Sequence, residues 1–357
     1  MTKKSLLSHG IRKILIALLA ASSTLGLAAC GSVPEPKKTN LSNTTVITLT
    51  QEERIRRRVI RNVLSLDEDR DVEGLKQYVQ GPELAVRTSQ LTVAKATETL
   101  DQTAAIPTGV QQIMIPTESS WPRSFFSITT TTADQQSGRL LVFSQDSARE
   151  NYKLWGLVRL FSGAQLPTFR QQTPATKTSD EYNDPNHTGT ATQGGLVMTP
   201  TKAVTAYADV LQKGTASTYA SRFATDSLRT ELTKLTNTIS DGVKKNGGTQ
   251  EQTFTFNKKA IKVLVTATSS KNKGAKLGAL VIAQIDSSWT RTAGKDRTSL
   301  PISDAEKALF GIQEGKQSVV ANYINVVALY VPYASQGSQA KIECVGAERV
   351  PVSVTAR

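Results

Sequence analysis

Few residues in this sequence have types and spacing that carry chemistry. Ser270-Lys271-Asn272-Lys273 has the Ser-x-x-Lys spacing in which a lysine assists a serine nucleophile. That chemistry needs the serine at a buried helix start beside Ser-Asp-Asn and Lys-Thr-Gly partners. This run is polar and falls between two strand patterns, so it reads as a hairpin loop. Asp67, Asp69, Asp71 and Glu73 alternate as calcium ligands do. The sixth and twelfth positions of such a loop need Gly and a bidentate Glu, and here they are Val72 and Tyr78. A solvated helix-to-helix connection is expected instead. Two His and two Cys in 357 residues furnish neither a His-rich metal site, nor a four-cysteine zinc site, nor a disulfide framework. Cys344 lies in the alternating run Lys341-Ile342-Glu343-Cys344-Val345 and is expected to pack as a small hydrophobe, while His187 lies in a polar loop. No Gly-x-Ser-x-Gly elbow and no P-loop is present. The sequence therefore assigns no catalytic residue, no metal and no cofactor.

The strongest local signal is at the N-terminus. Lys3, Lys4, Arg12 and Lys13 precede an apolar run from Ile14 to Leu27, the order of a secretory signal. Ser22, Ser23, Thr24 and Gly26 interrupt that run, which falls short of the roughly 20 apolar residues of a spanning helix. It ends in Leu27-Ala28-Ala29-Cys30, which resembles a bacterial lipobox. That resemblance implies that residues 1–29 are removed as a signal peptide and that the Cys30 thiol carries a diacylglyceryl group at the mature N-terminus. Each buried acyl methylene contributes about 0.8 kcal/mol, so two or three chains hold a protein at a membrane persistently. The expected location is extracytoplasmic, lipid-anchored to the cell membrane. Export excludes ATP-driven chemistry, nicotinamide cofactors and genomic DNA as business of this chain.

Behind the anchor the pattern divides in two. Residues 30–48 read as the lipidated cysteine and a polar tether, 49–170 as a first α+β domain, 171–195 as a polar linker without Ile, Leu, Val or Phe, and 196–357 as a second, basic α+β domain. Thr50 with Glu53 suggests a capping box, followed by Ile55, Val59, Val63 and Leu66 at helical spacing. Thr199 and Pro200 start a matching helix with Val204, Tyr207, Ala208 and Leu211 inward and Gly214 as its stop. Each half then shows a short helical segment, Val72 to Val79 or Thr218 to Phe223. A further helix follows, striped by Leu84, Leu91 and Ala94 in one half and by Leu228, Leu232, Leu235, Ile239 and Val243 after an Asp226 cap in the other. Strand periodicity comes next: Phe126 to Thr130, Leu140 to Phe143 and Tyr152 to Phe161, then Phe254 to Phe256, Ile261 to Ala267, Leu277 to Ile285 and Val319 to Val331. The expected fold is α+β, two tandem cone-like domains, each with N-terminal helices packed on a curved antiparallel sheet. Such a unit resembles the nuclear-transport-factor-2 and ketosteroid-isomerase group.

Trp121-Pro122-Arg123-Ser124-Phe125-Phe126, Tyr152-Lys153-Leu154-Trp155, Leu166-Pro167-Thr168-Phe169 and Ala206-Tyr207-Ala208-Asp209-Val210-Leu211 carry a second resemblance. The chain is similar in these segments to a group of actinobacterial lipoproteins that share a domain of unknown function. The resemblance implies an exported, lipid-anchored, two-lobed body and transfers no catalytic role to any residue.

Charge supplies the remaining signal. The chain carries 43 Lys+Arg against 30 Asp+Glu; residues 196–357 hold 21 basic and 12 acidic residues, whereas 44–170 hold 15 and 14. Lys258, Lys259, Lys262, Lys271, Lys273 and Lys276 fall within one expected hairpin, and Arg54, Arg57, Arg58 and Arg61 line one side of the first helix. Both sets are candidate contacts for anionic lipid headgroups or acidic wall polymers, or they solubilise the surface. Nucleic acid is not an expected partner, because no stacking aromatics interleave with the lysines. The function expected is a binding or assembly module of the cell envelope, with another envelope protein as a further candidate partner. Two alternatives stand beside it. One is a small-ligand-binding lipoprotein using an apolar pocket in the curved sheet, and the other an enzyme with a pocket carboxylate opposite a Tyr donor. Trp121, Trp155, Trp289 and Tyr323 are candidate pocket walls or core.

Overall fold

The computed structural model describes residues 45–117, 121–131, 137–169, 172–176, 195–267, 270–271, 274–312, 314–337 and 339–357. The leader, the lipobox Leu27-Ala28-Ala29-Cys30, the tether up to Thr44, most of the polar stretch 171–195, and Lys273 lie outside the described residues. Ser42 to Arg357 forms one compact unit, and among its described residues are five α-helices and nine strands in the expected α+β arrangement.

Helix α1 (Leu49–Asp69) is capped by Thr48, two residues before the expected Thr50. Thr48 Oγ1 accepts from Gln51 N at 3.2 Å and Gln51 Oε1 accepts from Thr48 N at 2.8 Å, a reciprocal pair that satisfies two otherwise orphaned amides. Val46 and Ile47, read from the sequence as tether, are buried in the first core, and Val46 N donates to Pro116 O at 3.0 Å. Apolar side chains directly before the cap pull the chain onto the sheet and set where the helix begins. After a 3-10 turn (Gly74–Gln77) comes α2 (Gly81–Thr97), whose first residue has φ 61° and whose Cβ, if present, would lie 2.5 Å from the Trp155 ring, so only glycine fits. The second half repeats this order with α3 (Pro200–Lys213), a 3-10 turn (Ala220–Arg222) and α4 (Ser227–Lys245), capped by Thr199 and Asp226 as expected. Leu235, expected inward on α4, is 38% exposed. A short helix, α5 (Asp304–Phe310), had no counterpart in the sequence reading.

Two four-stranded antiparallel meanders follow the helices. The first comprises β1 (Val110–Thr117), β2 (Arg123–Thr129), β3 (Arg139–Gln145) and β4 (Lys153–Arg159). The second comprises β6 (Thr249–Val265), β7 (Gly278–Thr292), β8 (Ser318–Pro332) and β9 (Glu343–Ala356). Phe254–Phe256 and Ile261–Ala267, read as two strands, lie largely on the single strand β6, interrupted by a bulge between Phe256 and Ile261. The two meanders are joined through β5 (Gln172–Thr176), parallel to β1 and antiparallel to β6, giving the order β4-β3-β2-β1-β5-β6-β7-β8-β9. Those five residues were read as part of a linker because they lack large aliphatic side chains. Backbone pairing on both edges orders them without needing such side chains.

Period-2 alternation sorts the strand side chains between two faces. On the first sheet Phe125, Leu141, Phe143, Leu154 and Leu157 meet α1 and α2, while Phe126, Ile128, Leu140, Val142 and Val158 turn to the other side. On the second sheet Val263, Val281, Ala283, Val327 and Leu329 meet α3 and α4. Leu264, Leu280, Ile282, Val326 and Val345 share one buried cluster with the inward residues of the first sheet. The molecule is therefore layered helix, sheet, sheet, helix, its middle filled by both halves. At the far edge Phe161 N donates to Val345 O at 3.0 Å and Leu160 bridges Gly346. A Cβ at Gly346 would stand 2.6 Å from Arg159 O, so glycine is what allows this approach.

Candidate functional site

The arginine face expected from the sequence is built on α1. Positions 54, 57, 58 and 61 are spaced i, i+3, i+4 and i+7 and project together opposite the buried stripe Val59, Ile60 and Val63. All four are exposed. Arg57 pairs with Glu53 at 2.8 Å in solvent and Arg58 donates to Asn151 Oδ1 at 3.4 Å. Arg54 and Arg61 have no acidic partner within 4 Å among the described residues. Arg56, on the side of the helix away from that face, is turned inward: its Nε donates to Glu52 Oε1 at 2.7 Å, and Glu52, fully buried, also accepts from Ser127 Oγ at 3.0 Å.

Beside this face runs a groove of about 780 Å³. Arg56, Arg57, Ile60, Arg61 and Leu64 line it from α1, and Pro107 to Ile113 with Leu141 line it from the other side. Arg56 and Arg57 are paired with Glu52 and Glu53, so Arg61 is the cation this groove offers to an anionic group with an attached apolar portion. The sequence exposed the arginines through their spacing. It gave no sign of the groove, because β1, which supplies the facing wall, has an irregular pattern interrupted by Pro116.

Among the described residues, Lys258, Lys259, Lys262, Lys271 and Lys276 do not share one surface. Lys258 and Lys259 project from the β6 bulge and Lys271 is exposed. Lys262 instead reaches the first sheet, donating to Ser144 Oγ at 3.0 Å with its ammonium 5.5 Å from the Trp155 ring centre. Lys276 pairs with Glu343 at 2.6 Å and lies 5.2 Å from the Tyr330 ring centre. These two help join and brace the halves. Of the aromatic candidates, Trp155, Trp289 and Tyr323 are core and Trp121 is on the surface under the Arg123 guanidinium. Cys344 is buried as expected; burial, and then the nearby Asp226, push its thiol well above the ordinary range, so it is inert as a nucleophile.

One cluster escaped the sequence reading altogether. Asp67, expected in a solvated connection, is buried with its Oδ2 3.4 Å from Arg87, which also lies 3.5 Å from Glu83. Glu348 enters from β9 among Arg159, Arg139 and Arg87. Burial raises these acids against the pull of the arginines, Asp67 to about 6 and Glu83 and Glu348 to about 7. Glu83 and Arg87 are i, i+4 on α2, but no spacing joins them to Asp67, Arg139 or Glu348, and the packing of the halves brings Glu348 in. Among the described residues no group of His, Cys, Asp and Glu has the arrangement of a metal site, and no helix is long and apolar enough to cross a membrane.

Comparison with known families supplies the classification, since one family model matches residues 62–350, from within α1 to within β9. The chain belongs to the DUF8094 family. Its description is a domain of unknown function, and the matched span runs through both halves, so the DUF8094 match is not confined to one lobe; Arg54, Arg57, Arg58 and Arg61 precede it. No curated protein and no solved structure matches the chain.

Proposed function

We propose that this DUF8094 protein is a lipid-anchored extracytoplasmic lipoprotein of the actinobacterial type, acting as a binding or assembly module of the cell envelope, with the α1 arginine face as its contact with anionic membrane. The observation that carries the reading is the placement of Arg54, Arg57, Arg58 and Arg61 together on the first helix, next to the chain's entry from Cys30. The chain between Cys30 and Thr45 spans at most roughly 50 Å. A tether of that reach lets this face meet the headgroups, where each arginine adds about 1 kcal/mol of attraction. The filled space between the sheets supports a surface-binding module over a ligand pocket inside a nuclear-transport-factor-2-like cone. The groove supports a second reading, a lipoprotein that takes a small anionic amphiphile on its surface.

The test has two parts. Intact-mass analysis of the protein from its native host is expected to show residues 1–29 removed and a diacylglyceryl group on Cys30; an intact leader or an unmodified thiol removes the anchor. Sedimentation of the unlipidated chain with vesicles containing anionic lipid is expected to show salt-sensitive binding. Arg54→Glu, Arg57→Glu, Arg58→Glu and Arg61→Glu together should weaken it more than tenfold, in line with about 1 kcal/mol per charge. Equal sedimentation of both proteins would remove the membrane role of this face.

A further inference from the structure

The connection from β7 to β8 carries α5 and, on either side of it, the two most exposed large hydrophobic residues among the described residues. Leu300 is 63% exposed and Ile312 is fully exposed. Apolar side chains scattered singly on a surface are ordinary. These two share one platform. Leu300 Cδ2 lies 3.6 Å from where a Cβ at Gly315 would stand, three residues from Ile312, and Ser299 N donates to Lys316 O at 2.9 Å.

The platform is fixed from below. Glu306 of α5, fully buried, accepts from both terminal nitrogens of Arg291, from the Tyr323 hydroxyl and, at 3.0 Å, from Ile302 N. Ile302, Leu309 and Phe310 pack on Trp289, Val319 and Tyr323. The inward apolar places of this connection are thus taken by its own residues, and Leu300 and Ile312 are left outside on a braced support.

Cations surround that support. Arg297 donates to Asn246 Oδ1 at 2.6 Å, which sets the end of α4 beside the connection, and Ser318 N donates to Arg357 O at 3.0 Å, which sets the end of β9 there too. Lys244, Lys245, Lys295, Arg297, Lys316 and Arg357 are all exposed at this end of the second sheet. Asp241, Asp296, Glu314 and the terminal carboxylate oppose them, while Asp304 is taken by Lys307 at 2.9 Å. An excess of positive charge remains. Two apolar side chains fall short of the roughly 800 Å² that a stable protein contact buries on each partner, and lysine is depleted from such contacts. A second copy would set cation against cation. Apolar tips within a cationic rim suit the interfacial layer of an anionic bilayer.

We propose that this connection is a membrane-insertion element: Leu300 and Ile312 enter the interfacial layer while the surrounding lysines and arginines meet anionic headgroups. From the proposed function it takes only that the chain stands at a membrane; its surface is separate from the α1 arginine face.

The test uses the chain from Gly31 onward, which keeps the whole compact unit and carries neither leader nor acyl chains. Vesicles of phosphatidylglycerol with phosphatidylcholine are the probe. The tryptophan of Ile312→Trp is expected to shift its emission to the blue on vesicle binding and to be quenched by lipids brominated near the headgroup, measured against the parent chain. Leu300→Ser with Ile312→Ser, both at exposed positions, is expected to weaken sedimentation with these vesicles by about tenfold. An unquenched tryptophan overturns the proposal even where salt-sensitive binding through α1 persists. Quenching that survives the fourfold arginine-to-glutamate change on α1 supports it even if the arginine face fails. Sedimentation of the double serine variant equal to the parent overturns it, as does a blue shift that arises without vesicles through self-association.

Discussion

Glu348 concentrates the electrostatic tension of the molecule in one side chain. It is carried on a strand of the second half, is 4% exposed, and sits among Arg159, Arg139 and Arg87 with Asp101 opposing them. Burial outweighs those arginines and raises its carboxyl from an ordinary 4.5 to about 7. The folded state then binds a proton that the unfolded chain releases. This group's stabilising contribution is complete below pH 4.5 and disappears as pH rises to about 7. Glu83 acts in the same window and Asp67, raised from 3.8 to about 6, in one slightly lower. Thermal melts are therefore expected to show stability falling between these limits, by on the order of 3 kcal/mol for a full shift of this size at Glu348. Glu348→Gln, permanently neutral, should flatten that part of the profile. A variant profile that keeps the parent's slope would mean that Glu348 stays ionised in the fold.

Among the elements, α1 and α2 do unlike jobs. Helix α1 lies on its own sheet and presents charge outward, and its start is set by Thr48 and Gln51 with Val46 and Ile47 buried just before them. Thr48→Ala is expected to cost about 1 kcal/mol in denaturant unfolding, while Thr50→Ala should cost a few tenths. Equal losses would return the cap to Thr50. Helix α2 is buried on two sides. Leu91 belongs to the first core, Val86 to the core shared by the sheets, and Ser89 Oγ donates to Pro351 O of β9 at 2.5 Å. Such a helix has too wide a buried surface for a clean one-face stripe, and for that reason its sequence pattern showed Leu84, Leu91 and Ala94 but hid Glu83, Arg87 and Ser89.

For the molecule as a whole, the shared central core ties the fates of the halves together. Leu280 and Ile282 from one sheet pack in the same cluster as Phe126 and Val142 from the other. Leu280→Ala is expected to cost about 2–5 kcal/mol and to lower one common calorimetric transition. Two separated transitions would show that the halves unfold as independent domains. Gly346→Val should act on the same transition through the clash with Arg159 O, by an amount comparable to overpacking, about 1–3 kcal/mol or more. The repeat of helices followed by strands was legible in the sequence because each half carries its own caps and periodicities, and these are properties of neighbouring residues: Thr199 and Pro200, Asp226, the alternation from Phe126 to Thr130. The arginine face was legible for the same reason. The joining strand β5, the filled space between the sheets and the pairing of Arg87 with Asp67 were not, since each depends on contacts between residues far apart along the chain. Local periodicity says which side of an element is apolar; only the packed chain decides what that side meets.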